Sequence, residues 1–143
     1  MNTITSLYDL RQTLAAALAA ALPDVEVLPA LPTTRCPVPE DKTLLVIGVQ
    51  SLSRAASLLD PADGIVIETG LRLTVFHRTA REECERVTGA LAALSLAGGF
   101  PFPVLSLASR AAEYSRTLGS FSQATDCTLT CLLAEAPGEE AAP

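Results

Sequence analysis

Gly70–Leu96 reads GLRLTVFHRTAREECERVTGALAALSL, and a change of period inside it decides what the rest of the chain must supply. From Leu71 to Arg78 the residues alternate. Leu71, Leu73, Val75 and His77 fall on one side, and Arg72, Thr74, Phe76 and Arg78 on the other, which is the pattern of a strand. At Thr79 the spacing becomes helical: Ala80, Cys84, Val87, Leu91 and Leu94 form one stripe, with Arg81, Glu82, Glu85 and Arg86 off it. Thr79-Ala80-Arg81-Glu82 has the form of a capping box, so the helix is expected to start there. A strand that turns directly into an amphipathic helix lays the helix on its own sheet and requires further strands to complete that sheet.

Working outward, Thr3–Leu22 carries Leu7, Leu10, Leu14, Leu18 and Leu22 at helical spacing, with Ser6 and Asp9 as a capping box and Pro23 as the stop. Its back is alanine: Ala15, Ala16, Ala19 and Ala20. Val25–Leu28 reads as a short strand, and Pro29, Pro32, Pro37 and Pro39 then define a long loop over 29–42. Thr43–Ala56 is a strand that becomes polar as it proceeds, and the Asp60-Pro61 and Asp63-Gly64 steps reverse it into a second strand, Ile65–Arg78. Beyond the helix, Gly98-Gly99-Phe100-Pro101-Phe102-Pro103 is a loop whose two phenylalanines close the end of the core. Val104–Leu118 and Gln123–Glu135 read as a second hairpin around Gly119, with Cys127, Leu129, Cys131 and Leu133 facing in. The acidic segment 136–143 is expected to be a flexible tail. The sum is one α+β domain over 1–135. Its expected fold is a four-stranded, mainly antiparallel sheet of two long hairpins, with both helices on one face. Ile65, Ile67, Leu52, Phe76 and Leu132 are expected on or near the other face, and a partly apolar outer face points to contact with another chain.

Composition excludes several functions. At 143 residues the chain buries a full core without staples. Lys+Arg total 10 against 16 for Asp+Glu, and aromatic residues are only 4%, which argues against sequence-specific nucleic-acid binding by phosphate neutralisation or base stacking. Cys36, Cys84, Cys127 and Cys131 contain no CxxC and have only His77 as an imidazole partner, so no metal or other cofactor is expected. Cys127 and Cys131 on one strand face are about 13 Å apart, too far for a disulfide. The thiols read as small buried hydrophobes of a reducing compartment, since the start MNTITSLYDLRQTL lacks a secretory pattern. The Leu14–Leu22 segment is too short to span a membrane. His77 has no nucleophile placed beside it, Glu82 and Glu83 suit a helix N-terminus, and Gly98-Gly99 lacks a phosphate-loop pattern, so no enzyme is expected.

The order of elements, with Gly70–Leu96, the Gly-Pro loop and the closing TDCTLTCLLAE, resembles the tail-terminator and tail-completion proteins of tailed bacteriophages and phage-derived tail particles. The likeness runs from the leading helix to Glu135, and the loop from Pro29 to Lys42 has no counterpart in it. The resemblance implies a structural subunit that closes into a ring, typically a hexamer, on the last ring of a tail tube. It would end tube growth there and present a docking surface for the head or neck. The implied partners are further copies of the chain, the tail tube protein, sheath and head or neck proteins. The implied location is the virion or tail particle, with the host cytoplasm during assembly. Ring closure joins two different faces of each subunit. The surfaces expected to do this carry Ala15, Ala19, Arg35, Leu52, Arg54, Ile67, Arg72, Phe76, Arg110, Glu113 and Arg116. Two alternatives stand beside it: a neck or head-closure connector, and a small ligand-binding α+β domain with a pocket near His77, Phe100 and Phe102.

Overall fold

The computed structural model describes residues 3–30, 38–39, 41–54 and 65–134. The elements are, in order, β1 (Thr3–Ile4), α1 (Leu7–Ala21), β2 (Val25–Leu28), β3 (Thr43–Arg54), β4 (Ile65–His77), α2 (Arg81–Leu96), β5 (Val104–Ser109), β6 (Glu113–Ser115) and β7 (Ser120–Leu133). The expected four-stranded antiparallel sheet is overturned. The fold is α+β, but its sheet has seven strands, is mixed, and curls into a half-barrel. Three long strands, β3, β4 and β7, form an antiparallel centre, and short strands are added on both sides. β2 pairs with the first part of β3 in parallel. Along its far edge β7 pairs in succession with β6 and β5, both antiparallel, and with β1, in parallel. The third strand of the expected second hairpin does not run through: it stops after Ser109 and resumes as β6.

The core lies between the sheet and the two helices. Leu10, Leu14 and Leu18 of α1 and Cys84, Val87 and Leu91 of α2 join Leu45, Ile47, Leu71, Leu73, Val75, Cys127, Leu129 and Cys131 in one buried cluster. Phe100 and Phe102 also belong to it, with Phe102 only 2% exposed. Pairing register fixes which strand residues face the helices: Leu45↔Val75, Ile47↔Leu73 and Val49↔Leu71 on one side of β4, with Cys127↔Leu71 and Cys131↔Ile67 on the other.

Helix ends follow local chemistry. Ser6 Oγ accepts from the Asp9 amide at 3.0 Å, and Asp9 Oδ2 accepts from the Thr5 amide at 3.0 Å. Thr3 and Ile4 lie outside the helix, bonded as β1 to the end of β7. The Thr79 capping box does not form. The helix begins at Arg81 with Ala80 as its N-cap, which moves Glu82 out of the third position that a box requires. His77 Nδ1 instead accepts the amides of Ala80 at 3.0 Å and Thr79 at 3.3 Å, so the imidazole ties the strand-to-helix corner. His77→Ala is expected to cost about 1 kcal/mol and to speed amide exchange in the first turn of α2 while sparing α1, measurable by hydrogen exchange. At the other end Gly98, at φ +72, and Gly99 donate to Ser95 and Leu94 carbonyls, a Schellman closure that requires glycine at the left-handed position.

Candidate functional site

The helix-free face of the sheet is the surface on which the sequence reading placed most of its contacts. It divides into three zones. At one end Leu44, Val46 and Phe76 are covered by Val38, with Leu28 packed alongside, forming a small second core. Arg78 Nε donates to the Val38 carbonyl at 2.9 Å, holding that cover in place. In the middle, Asp126 accepts Arg72 Nε at 2.9 Å and Arg110 Nη2 at 3.2 Å, an ion triad across β4, β7 and the end of β5. The Arg72 hydrogen bond, reinforced by Arg110, holds the Asp126 carboxyl below the usual carboxylate range. Around it the side chains are small: Gly48, Gly70, Thr74, Ala108, Ala124 and Thr128 lie at neighbouring register positions. A slot of about 90 Å³ opens between Val46, Gly48, Gln50, Arg72, Thr74 and Phe76.

Beyond Val49 β3 runs as an exposed edge, while its partner, Ile65–Gly70 of β4, stays within the sheet, paired with β7 and with Ile67 and Thr69 buried. Every β3 residue from Gln50 to Arg54 is exposed, Leu52 by 50%. A bulge between Val49 and Ser51 shifts the pairing by one, so that Ser51 faces Gly70 and Leu52 faces Thr69.

These positions correct several face assignments. Ile67 is 4% exposed and points with Leu71 and Leu73 into the main core; Ile65 packs on the same side. Leu52 lies on the helix side because the bulge reverses its parity. Phe76 is on the helix-free face as read, but at 7% exposed it belongs to the covered end rather than to an open patch. Ala15 is buried in the core, whereas Ala19 is exposed. Arg54 ends β3 on its exposed edge, and Arg72 is one of the two arginines paired with Asp126. Arg110, Glu113 and Arg116 do not form one ridge: Arg110 turns in to Asp126, Glu113 starts β6, and Arg116 lies in the turn after it. Arg35, the 59–64 reversal and the 136–143 tail lie outside the described residues. Asp126 was missed as a partner; its place opposite Arg72 depends on the β4–β7 register, which alternation alone does not specify.

No protein-family model matches the chain, and no curated protein matches it. The geometry therefore carries the functional reading.

Of the three residues expected around a pocket, Phe100 and Phe102 line one and His77 does not. A shallow depression of about 370 Å³ is lined by Ser95, Gly98, Phe100, Pro101, Phe102, Pro103 and Val104, without His77 and without a titratable side chain. Among the described residues no three His, Cys, Asp or Glu side chains converge as metal ligands would. No described helix is long and apolar enough to cross a membrane. Burial pushes the Cys84 thiol up to about 11 and the Cys127 thiol up to about 11, so both stay protonated and unreactive near neutrality. Because their ordinary value is 9.0, the folded form favours the neutral thiol. That preference is fully present below pH 9 and is lost as pH rises toward 11. Urea unfolding is therefore expected to show stability falling over that window, by on the order of 2 kcal/mol per thiol, and a Cys84→Ala, Cys127→Ala pair should flatten the decline.

Proposed function

We propose that this chain is a structural subunit of a phage or phage-like tail, closing into a ring on the end of the tail tube and offering a docking surface to the head or neck. The observation that carries the reading is an exposed edge on a well-packed body: Gln50–Arg54 of β3 is paired with β4 on one side and with no described strand on the other. All five residues of that stretch are exposed, Leu52 by 50%. An edge of this kind has hydrogen-bonding and apolar capacity that another chain can use.

Two further observations support it. The side chains of the helix-free face are small around the Arg72–Asp126–Arg110 triad, which lets another backbone approach closely beside a partly exposed cluster of charge. The exposed side of α1, with Tyr8 at 65%, Ala16, Ala19 and Ala20, presents few charges and so resists desolvation little. Ring contacts are thus assigned to the exposed edge of β3 with Leu52 and Arg54, to the triad margin, and to Ala19 on α1. Ala15 and Ile67 serve the core.

Purified protein examined by negative-stain imaging and by mass in solution, alone and with tail tube protein, tests this. Closed rings, expected to be hexamers, that also cap tube ends are the predicted result. A strictly monomeric mass at high concentration, with no attachment to tube ends, overturns the reading. A ring that ignores the tube and binds head or portal-side proteins assigns the subunit to the neck instead.

A further inference from the structure

The two sides of the sheet are unequal in a way that specifies how copies join. β2 pairs with β3 only from Thr43 to Val46, so the same edge of β3 from Ile47 to Arg54 has no strand beside it among the described residues. On the opposite side, β5 pairs with β7 through one edge, and its outer edge has no described strand either. The β5 bonding pattern shows what that edge offers. The Arg110 amide donates to the Ala124 carbonyl at 2.9 Å. Alternation from there, through Ala108↔Asp126 and Ser106↔Thr128, turns the Ser106 and Ala108 amides toward β7 and leaves those of Leu107 and Ser109 facing outward.

Neither edge is blocked by proline or by charge along its length. Val104–Ser109 reads VLSLAS, with no charge and no proline, and Gln50–Arg54 has a single charge at its end. Each edge bears one large exposed apolar side chain, Leu105 at 55% and Leu52 at 50%. Each also has one bulge, between Val104 and Ser106 and between Val49 and Ser51. Bulges coil a strand and so favour a curved, closing assembly over a flat fibre.

Strand direction supplies the remaining constraint. β5 is antiparallel to β7, β7 to β4 and β4 to β3, so β5 runs opposite to β3. Rotation of a copy about an axis roughly along the strands preserves direction and brings its β5 antiparallel against β3 of the first. We infer that the chain assembles head to tail by this edge pairing, with β5 of one copy, Val104–Ser109, adding as a strand to Ile47–Arg54 of the next. This joining rests on the ring reading, but it makes its own prediction about which atoms meet.

In one chain β3 and β5 stand three strand spacings apart, about 14 Å, so a disulfide between them has to link two copies. The full-length chain carrying Cys36→Ser, Leu52→Cys and Leu105→Cys is oxidised mildly and its products are sized beside the wild type. A ladder of covalent oligomers ending at the ring mass, absent from either single-cysteine variant, is expected. Separately, Leu105→Lys and Ser109→Pro, which add a charge to the outer edge and remove an outward donor, are each expected to shift the assembled protein to single-chain mass, with unchanged circular dichroism confirming the fold. Rings that persist in both variants, without the mixed cross-link, overturn the edge pairing and leave the ring standing. Dimers cross-linked through Leu52→Cys alone or Leu105→Cys alone overturn it in favour of two-fold pairing. Open chains bearing the mixed cross-link but no closed species keep the edge pairing and overturn the ring. A wild-type chain that stays monomeric at high concentration overturns both.

Discussion

Leu73→Ala is expected to lower the free energy of unfolding by about 3–4 kcal/mol, the middle of the range for a buried leucine. Leu73 sits on the middle strand of the three long ones, flanked by Ile47 and Thr125, and it is fully buried under the helices. Its neighbours are strand residues held by ladders on both sides, so the space left by the lost atoms cannot collapse. The adjacent Thr74→Ala, on the helix-free face, should cost under about 1 kcal/mol, because Thr74 borders an open slot. Urea unfolding of the two variants measures the contrast. A loss at Leu73 no larger than that at Thr74 would mean the core does not lie where the burial places it. For a domain whose whole margin is about 5–15 kcal/mol, the Leu73 change consumes a large share.

The second large effect is at Phe102, where Phe102→Ala is expected to cost about 3–5 kcal/mol. This residue follows the Schellman closure of α2 and is 2% exposed, packed in the main cluster with Phe100. The Pro103 carbonyl next to it accepts the Thr130 amide at 3.0 Å, which starts the β5–β7 ladder. Loss of the ring therefore frees the loop that aims β5. Amide exchange across Val104–Ser109 should rise more than exchange in β3 or β4. If thermal unfolding shifts by only a degree or two, the phenylalanine is a surface cover and not a plug for the core.

Much of this arrangement was legible in the chain because it depends on local period. The 71–78 alternation, the Cys84-Val87-Leu91 stripe and the paired phenylalanines each express a side-chain spacing that water enforces residue by residue. The odd-numbered alternation from Ile65 to Val75 also contained the correct face for Ile67, since no bulge interrupts β4. What was not legible depends on partners far away in the chain. β1 is two residues long and exists as a strand only because Leu132 and Leu133 lie beside it. The parallel pairing of β2 with β3 leaves no mark on either segment's own pattern. Leu52 was misplaced by one inserted residue, a detail that hydrophobicity does not encode. His77 took the place of the Thr79 box: an imidazole acceptor two residues upstream claims the Thr79 amide that the box would have used, and the Ala80 amide beside it. At the candidate site, the arginines were found from their position on the polar side of a strand. Their shared carboxylate was not, because its place depends on register.

Ile4 and Ala134 are joined directly, the amide of one accepted by the carbonyl of the other at 2.8 Å. Fluorophores attached at Thr3 and at Ala134 would therefore sit about 8 Å apart by strand geometry in the native state and tens of ångströms apart once the chain is denatured. The molecule thus comes with a near-ideal site for an energy-transfer gauge, one that could follow unfolding without touching any surface proposed to meet a neighbour.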